Sequence, residues 1–345
     1  MSLNIFNKDN RKCFFIAEIG QNHQGSINIA KELIKKAKEC GADCVKFQKT
    51  CLLEKFNRAA LNQPYNNRNS WGKTYGEHKA FLEFSEDEFL ELKQCADENN
   101  ILFTASAMDL VSLHYLNSIE VPFIKIGSGD ANNFILIEEA AKLNKPLIIS
   151  TGMQDSITVD KIYKIVSEYH KKFCLMHCVS SYPAPIQDVN LNVIKLFQSK
   201  YLDIPIGYSG HEIGNDVVLA AVTLGAKVIE RHFTLDRTLK GSDHVCSLEP
   251  SEFKDMIDRV RMLQVALGKP EKKMQISEYE CYKKLGKTVV AAKSITKGTP
   301  LQKEHLKVKV ALPKGIDASK EARLIGRIIK KDLDEDESIT EECFG

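Results

Sequence analysis

The sequence lacks several features that would place it in a special class of protein. Its 345 residues carry 48 basic and 46 acidic side chains, a formal net charge of +2, so net charge predicts no nucleic acid partner. The longest apolar run, around 217–229, is interrupted by Thr223, Gly225 and Lys227. The N-terminus, MSLNIFNKDNRKC, contains no apolar core of a signal peptide. We therefore expect a soluble, cytoplasmic protein with no membrane partner.

The sequence also lacks closely spaced cysteine pairs. It has ten cysteines, but none forms a CxxC motif. Cys44, Cys174 and Cys178 fall within strand-like runs, where a reduced thiol serves as a small buried apolar group. This usage argues against a disulfide scaffold and favours the reducing environment of the cytosol.

What the sequence does have is an alternation of strand-like and helix-like segments. The strand-like runs are CFFIAEIG (13–20), DCVKFQK (43–49), ILFTASAM (101–108), PFIKIGSG (122–129), KPLIISTG (145–152), KFCLMHCVS (172–180), IPIGYSGH (204–211) and KVIERHFTL (227–235). Each is followed by a stretch with apolar residues at helical spacing. Eight such units predict an α/β protein built on a (β/α)₈ TIM barrel within residues 1–268. A doubly wound open sheet is the alternative.

The pattern changes after Gly268. Residues 269–284 are polar and predict a linker with some helix, and residues 285–345 contain short β-like runs separated by glycine and proline. A small β-rich domain of about 60 residues is marginally stable alone, so we expect it to dock on another surface.

Polar residues stand at the C-terminal end of every predicted strand, which is where barrel enzymes carry their chemistry. In chain order they are Glu18, Lys46, Gln48, Thr104, Ser106, Lys125, Ser128, Ser150, Ser180, Tyr182, Ser209, His211, Glu230 and His232. Residues two apart on a strand share a face, and inward-facing charges are costly unless a ligand or metal satisfies them. The sequence therefore predicts a ligand site at this end of the barrel.

Two histidines end neighbouring strands of the predicted barrel. His211 and His232 would lie at the same end of adjacent parallel strands, where their side chains can meet. We interpret them as a divalent metal site, with Ser209 and Glu230 beside them, and a structural role for each histidine is the alternative. Two lysines, several hydroxyl groups and the GSG turn at 127–129 predict a small phosphate-bearing anion nearby. These residues leave carbon–carbon bond formation, isomerisation and phosphate hydrolysis open.

Several motifs resemble the sialic acid synthase family, in the same order and over nearly the whole chain. They are AEIGQNHQG (17–25), GADCVKFQK (41–49), KIGSGDANN (125–133), ISTGM (149–153), IGYSGH (206–211), LGAKVIERHFTLD (224–236) and GSDH (241–244). Residues 56–85 resemble the animal-type branch. The resemblance implies condensation of phosphoenolpyruvate with N-acetylmannosamine or its 6-phosphate, giving N-acetylneuraminate or its 9-phosphate and inorganic phosphate. It does not decide between the two acceptors.

The resemblance also implies a role for individual residues. Phosphoenolpyruvate would be held by Lys46, Ser106, Lys125, Ser128, Ser150, Ser180 and Ser209, although bacterial relatives often have Asn at the position of Ser180. A metal ion, Mn²⁺ or alternatively Mg²⁺ or Co²⁺, would be bound by His211 and His232. The sugar would contact Gln48, Tyr182 and Asp243. Glu18, Glu230 and His232 are the catalytic candidates, with Glu18 handling water and protons and Glu230 either assisting it or orienting a ligand.

The segment from Thr50 to Phe84 is longer than an ordinary loop of a barrel. We interpret it as a lid over the sugar, with basic residues such as Lys73 offered to a 6-phosphate. A solvated surface excursion, folded down by Trp71 and Tyr75, is the alternative.

The C-terminal segment resembles the antifreeze-like (SAF) domain of this family, which caps the site of the other protomer in a domain-swapped homodimer. Bacterial relatives use an Arg of this domain to reach the sugar, whereas Val310 stands at that position here. Lys309 and Lys314 are the candidates to replace it, without the bidentate fork of Arg. A related nonulosonic-acid or 3-deoxy-sugar-acid synthase, a metal-dependent aldolase and a non-catalytic binding protein are the alternative functions.

Overall fold

The computed structural model describes residues 12–345, and the chain divides into two compact units after Gly268. In the first unit, eight parallel strands close into a barrel in sequence order. They are β1 (Phe14–Gly20), β2 (Cys44–Lys49), β3 (Leu102–Ala107), β4 (Ile124–Ile126), β5 (Leu147–Ser150), β6 (Phe173–Cys178), β7 (Ile206–Gly210) and β8 (Val228–His232). The TIM barrel is thus confirmed, and the open-sheet alternative is wrong because β1 pairs with both β2 and β8.

Helices surround the barrel and fill the long insertion. They are α1 (Ile27–Glu39), α2 (Leu52–Lys55), α3 (Arg58–Asn62), α4 (Tyr75–Leu82), α5 (Glu86–Glu98), α6 (Leu110–Ser118), α7 (Phe134–Lys142), α8 (Ser156–Tyr169), α9 (Asn192–Lys200), α10 (Asp216–Thr223) and α11 (Pro250–Leu267). The insertion between β2 and α5 therefore folds as three short helices, α2 to α4. None of the helices in residues 12–345 combines the length and apolar character that crossing a membrane requires.

The alternation of side chains along each strand determines where the core ends and the site begins. On β1, Phe14 and Ile16 face the barrel interior and join an apolar cluster that includes Phe123 and Val228. The next residue on that face is Glu18, which is also buried. The same strand thus supplies an apolar base inside the barrel and, two residues later, a charged group above it. The intervening residues pack against the surrounding helices.

The second unit, Lys269–Gly345, begins with a segment containing α12 (Tyr279–Leu285). An antiparallel pair of strands, β9 (Thr288–Ala291) and β10 (Leu306–Lys309), follows. Its own apolar core includes Val289, Leu301 and Ile329. The predicted small β-rich domain is confirmed, and its two strands pair antiparallel. All ten cysteines of the chain are free thiols.

Candidate active site

A cavity of about 340 Å³ opens at the C-terminal end of the barrel, and each of the eight strands contributes to its lining. All of the predicted site residues except Thr104 and Lys73 line it. They are Glu18, Lys46, Gln48, Ser106, Lys125, Ser128, Ser150, Ser180, Tyr182, Ser209, His211, Glu230, His232 and Asp243. Thr104 Oγ1 donates instead to the carbonyl oxygen of Phe123 at 2.6 Å. Lys73 does not line the cavity: it is exposed, and its backbone N–H donates to Glu77 beside the start of α4.

Two lysines and two glutamates form a buried charge cluster at the base of this cavity. Lys46 Nζ lies 2.6 Å from Glu18 Oε2 and 3.7 Å from Glu230 Oε1, and Lys125 Nζ lies 3.6 Å from the same oxygen of Glu230. None of the four side chains is more than 7% exposed. The charges balance within the cluster, which is what makes burying all four tolerable.

Burial and charge separate the two carboxylates. Burial raises the pKa of Glu18 to about 7, since Glu230 adds to this effect and Lys46 only partly opposes it. Burial would also raise the pKa of Glu230, but Lys125 and Lys46 together hold it below its ordinary value. Glu18 is therefore the carboxylate poised to exchange a proton near neutral pH, whereas Glu230 stays ionised.

Neutral side chains hold the charged cluster in place. Lys46 Nζ donates to Ser106 Oγ at 3.0 Å, Lys125 Nζ to Ser150 Oγ at 2.7 Å, Gln48 Nε2 to Glu18 Oε1 at 3.2 Å and Ser209 Oγ to Glu230 Oε1 at 3.3 Å. Seven of the eight barrel strands, all except β6, contribute a residue to these hydrogen bonds. Rigid strands thus orient both lysines, which suits a preorganised anion site.

The GSG turn borders open space in the cavity. A Cβ atom at Gly127 or Gly129 would meet nothing within 4 Å, so the turn leaves room for a ligand. Ser128 Oγ accepts a hydrogen bond of 3.0 Å from the backbone N–H of Gly152. A Cβ at Gly152 would lie 2.3 Å from Ser180 Oγ and 2.8 Å from Ser128 Oγ. Only glycine at this position therefore lets the hydroxyl groups of Ser128 and Ser180 lie so close together.

The two histidines meet as the strand spacing predicts. The ring centroids of His211 and His232 are 5.3 Å apart. His211 Nδ1 lies 2.8 Å from the carbonyl oxygen of Val179, and since a carbonyl only accepts, Nδ1 carries the proton. The lone pair of Nε2 is therefore available to a metal ion. His232 Nδ1 is buried and makes no hydrogen bond, and Asp243 Oδ2 lies 3.9 Å from it. Burial lowers the pKa of His232 to about 3, which keeps the imidazole neutral.

This donor set fits a divalent ion that keeps open coordination positions. Within residues 12–345, no group of three or more His, Cys, Asp and Glu side chains is placed to hold a metal ion. The protein would thus supply two imidazole nitrogens and leave the other coordination positions to water or substrate. Tyr182, whose ring centroid lies 4.3 Å from that of His211, borders the same position.

Sequence reasoning missed two groups of residues. The first group is Glu212, which follows His211, and Arg231, which precedes His232. These two residues form a buried ion pair on the face opposite the histidines. Their opposite charges, each one residue from a histidine, could have indicated this ion pair. The second group lines the cavity at its mouth and comprises Gln21, Lys55, Lys79, Asp130 and Ser242. Lys55 and Lys79 lie in the insertion, where no sequence period marks which side chains turn inward.

The chain is similar to known proteins in both sequence and structure. A model of the NeuB family matches residues 33–272, and a model of the SAF domain matches residues 286–344. The chain is 52% identical to N-acetylneuraminate-9-phosphate synthase of Homo sapiens, over 96% of this chain and 92% of that one. It is 47% identical to the protein of the same name from Drosophila melanogaster, over 94% of both chains. The crystal structure of a sialic acid synthetase from Leptospira borgpetersenii superimposes with a TM-score of 0.68 at 35% identity, over 79% of this chain and 91% of that one.

Proposed function

The chain belongs to the NeuB family, and from that membership we propose that it condenses phosphoenolpyruvate with N-acetylmannosamine or its 6-phosphate, giving N-acetylneuraminate or its 9-phosphate and inorganic phosphate. The observation that carries the proposal is the placement of two buried lysines and two imidazoles in one cavity. Relatives named N-acetylneuraminate-9-phosphate synthase, at 47% and 52% identity, support it.

Phosphoenolpyruvate binds at the base of the cavity. Its carboxylate and phosphate groups are recognised by the ammonium groups of Lys46 and Lys125, which are already fixed by serine hydroxyls. The open GSG turn beside Ser128 accommodates the phosphate. When the anion arrives, the hydroxyls of Ser106 and Ser150 turn from the lysines toward its oxygens.

The sugar enters in its open-chain form, with its aldehyde oxygen toward His211 and His232. A divalent ion held by these two residues, Mn²⁺ with Mg²⁺ or Co²⁺ as alternatives, would supply Lewis-acid polarisation of that oxygen. Asp243, beside His232, and Tyr182, beside His211, orient the sugar. Gln48, which donates a hydrogen bond to Glu18, also contacts the sugar.

The reaction then forms one carbon–carbon bond and breaks one carbon–oxygen bond. The enol electrons of phosphoenolpyruvate form a bond from C3 to the aldehyde carbon, and the aldehyde oxygen gains a proton to become a hydroxyl group. Water adds to the cationic C2 and gives one proton to Glu18, which replaces the proton taken up by the aldehyde oxygen. The C2–O bond to the phosphate then breaks, the electrons of the C2 hydroxyl O–H bond form the keto group, and inorganic phosphate leaves with that second proton. Glu230, ionised between the two lysines, stabilises the positive charge at C2.

The direct test measures inorganic phosphate released from phosphoenolpyruvate with N-acetylmannosamine or its 6-phosphate and Mn²⁺, together with the mass of the product. We expect release with at least one acceptor and a nonulosonic acid as product. Release only with another aldose in a sugar panel would instead identify a related nonulosonic-acid or 3-deoxy-sugar-acid synthase. Binding without release under all conditions would identify a non-catalytic binding protein.

We also propose that the protein acts in the cytoplasm as a domain-swapped homodimer in which the SAF domain of each protomer caps the partner's site. The match to the SAF domain supports this, as do exposed apolar side chains such as Leu312, which is 88% exposed. Within its own unit, Lys309 pairs with Asp336 and Lys314 donates to the carbonyl oxygen of Gly286, so each already has a partner. Light scattering of the purified chain would show a dimer, and a monomer that keeps full activity would contradict it.

A further inference from the structure

Lys79, on α4, is a cation at the cavity mouth that lacks an anion. Its Nζ donates to Gln21 Oε1 at 2.9 Å and lies 5.5 Å from the centre of the Tyr75 ring. Among residues 12–345, no carboxylate lies within ion-pair distance of this nitrogen, whereas the nearby Lys49 is paired with Glu83 at 2.6 Å. Burial lowers the pKa of Lys79, the distant charge of Asp243 opposes that effect, and the like charge of Lys55 adds to it. A half-buried ammonium group in this setting is a site for a bound anion.

A second lysine lines the same cavity. Lys55, at the end of α2, has a side chain that is 21% exposed, and its Nζ lies 3.3 Å from Asp130 Oδ2. Asp130 therefore neutralises one of the two lysines and leaves Lys79 unbalanced. A dianion at this mouth would relieve the repulsion between the two ammonium groups.

This pair of lysines is separate from the pair that faces phosphoenolpyruvate. Lys46 and Lys125 project from barrel strands and are no more than 3% exposed, whereas Lys55 and Lys79 project from the insertion. Gln21, which accepts the hydrogen bond from Lys79, directly follows β1, and Glu18 of that strand pairs with His232 of β8. Lys79 is thus on the side of the barrel that carries His232, where the sugar is placed. One cavity therefore offers two cationic positions, at its base and at its mouth.

The helix that carries Lys79 is fixed against the barrel. Thr74 and Glu77 form a capping box at its start, and Leu82 is buried near its end. The carbonyl oxygen of Phe81 would lie 2.5 Å from a Cβ at Gly25, which has a φ of +74°, so glycine allows α4 to approach the loop after β1 this closely. The ring of Trp71 stacks on that of Phe81 at 5.6 Å. The position of Lys79 is therefore set by packing.

We propose that Lys79, assisted by Lys55, binds the phosphate group of a phosphorylated sugar acceptor. The inference rests on the proposed function and specifies its acceptor as N-acetylmannosamine 6-phosphate. The aldehyde end of the open-chain sugar lies at His211 and His232, and the phosphate at the far end reaches the mouth of the cavity. A phosphate monoester carries close to two negative charges and accepts several charge-assisted hydrogen bonds, so it matches a position lined by two ammonium groups.

The test compares kcat/KM for N-acetylmannosamine 6-phosphate and for N-acetylmannosamine in the wild type, Lys79→Met and Lys79→Arg. Lys79→Met should lower kcat/KM for the phosphorylated sugar roughly 10- to 100-fold more than for the free sugar. Lys79→Arg should retain most of the preference, since it keeps the charge. Lys35→Met, which removes an exposed lysine of α1 remote from the cavity, controls for the loss of one positive charge. Lys73→Met, the sequence-based candidate, should change the preference less than Lys79→Met.

Equal losses with both sugars, or a loss expressed as a raised KM for phosphoenolpyruvate, would overturn the assignment. Calorimetric titration of each sugar into the Mn²⁺-loaded protein, without phosphoenolpyruvate, makes the result independent of turnover. The wild type should bind the phosphorylated sugar more tightly, and Lys79→Met should remove that advantage. Should the wild type bind this way but release no phosphate, the proposed reaction would fail while the phosphate site stands. Should turnover occur while Lys79→Met leaves the preference for the phosphorylated sugar unchanged, the phosphate site would fail while the proposed reaction stands.

Discussion

Arg231 and Glu212 form an ion pair of 2.9 Å in which both side chains are completely buried. Arg231 precedes His232 and Glu212 follows His211, so the pair joins the ends of β7 and β8 on the face opposite the two histidines. The hydroxyl group of Tyr208 donates to the second carboxylate oxygen of Glu212 at 2.7 Å. The ion pair thus fixes the separation of the two imidazoles from the opposite face of the strands.

Removing one member of this pair should harm both stability and metal binding. Arg231→Met leaves Glu212 buried without a counter-charge, which typically costs about 3 to 5 kcal/mol of unfolding free energy. We expect a large drop in the urea midpoint and, in the folded fraction, weaker Mn²⁺ binding by calorimetry. The double variant Arg231→Met with Glu212→Gln should regain part of the stability. A single variant as stable as wild type would contradict this account.

Glu18→Gln should remove the proton acceptor of the reaction. General-base groups contribute roughly 10²- to 10⁴-fold, so we expect kcat to fall by that order while KM for phosphoenolpyruvate changes little. The raised pKa of Glu18, about 7, predicts the sign of the pH dependence: the active carboxylate is lost as pH falls below about 7. In the wild type kcat should then fall about tenfold per pH unit on the acid side. That acid limb should be absent from Glu18→Gln, and its persistence there would assign it to another group.

Local strand geometry fixes the positions of the residues that the sequence could predict. Contacts between distant parts of the chain fix the positions of those that it could not. On β1, Phe14, Ile16 and Glu18 share a face by strand geometry alone, so local sequence suffices to place the glutamate above the apolar base. Lys79 lies in an insertion of short helices, and its direction depends on contacts as remote as that of Phe81 with Gly25. Sequence reasoning therefore predicted most of the strand-end residues that line the cavity, but in the insertion it selected Lys73, which is exposed.

Loss of either imidazole should abolish the proposed metal binding. His211→Ala and His232→Ala each remove one of two protein ligands, so we expect no measurable binding of Mn²⁺ by calorimetry and no response of the melting temperature to added Mn²⁺. His114→Ala, at an exposed position of α6, is the matched control and should bind Mn²⁺ as the wild type does. Treatment of the wild type with a chelator should stop phosphate release, and Mn²⁺ should restore it. Undiminished Mn²⁺ binding by both variants would place the ion elsewhere.

His23 should make the stability of the barrel fall in mild acid. Its ring lies 4.2 Å from that of Phe84 and its Nδ1 accepts a hydrogen bond of 3.1 Å from the backbone N–H of Gly25, so the folded protein holds it neutral. Burial lowers its pKa from 6.5 to about 3. Above pH 6.5 both folded and unfolded chains carry neutral His23, and the full stability is present. Between pH 6.5 and about 3 only the unfolded chain gains the proton, so this residue costs about 1.4 kcal/mol of unfolding free energy per pH unit.

The difference between His23→Gln and the wild type isolates this contribution from that of the carboxylates. At pH 7 the variant should be the less stable of the two, because glutamine fills the contact with Phe84 poorly. As pH falls toward 5 the gap in unfolding free energy should narrow by about 2 kcal/mol, since only the wild type has the histidine to protonate on unfolding. His114→Gln, at an exposed position of α6, is the matched control for replacing a histidine by glutamine. Parallel urea midpoints for His23→Gln and the wild type from pH 7 to 5 would mean that His23 takes up its proton as readily in the folded protein as in the unfolded chain, against its burial among aromatic rings.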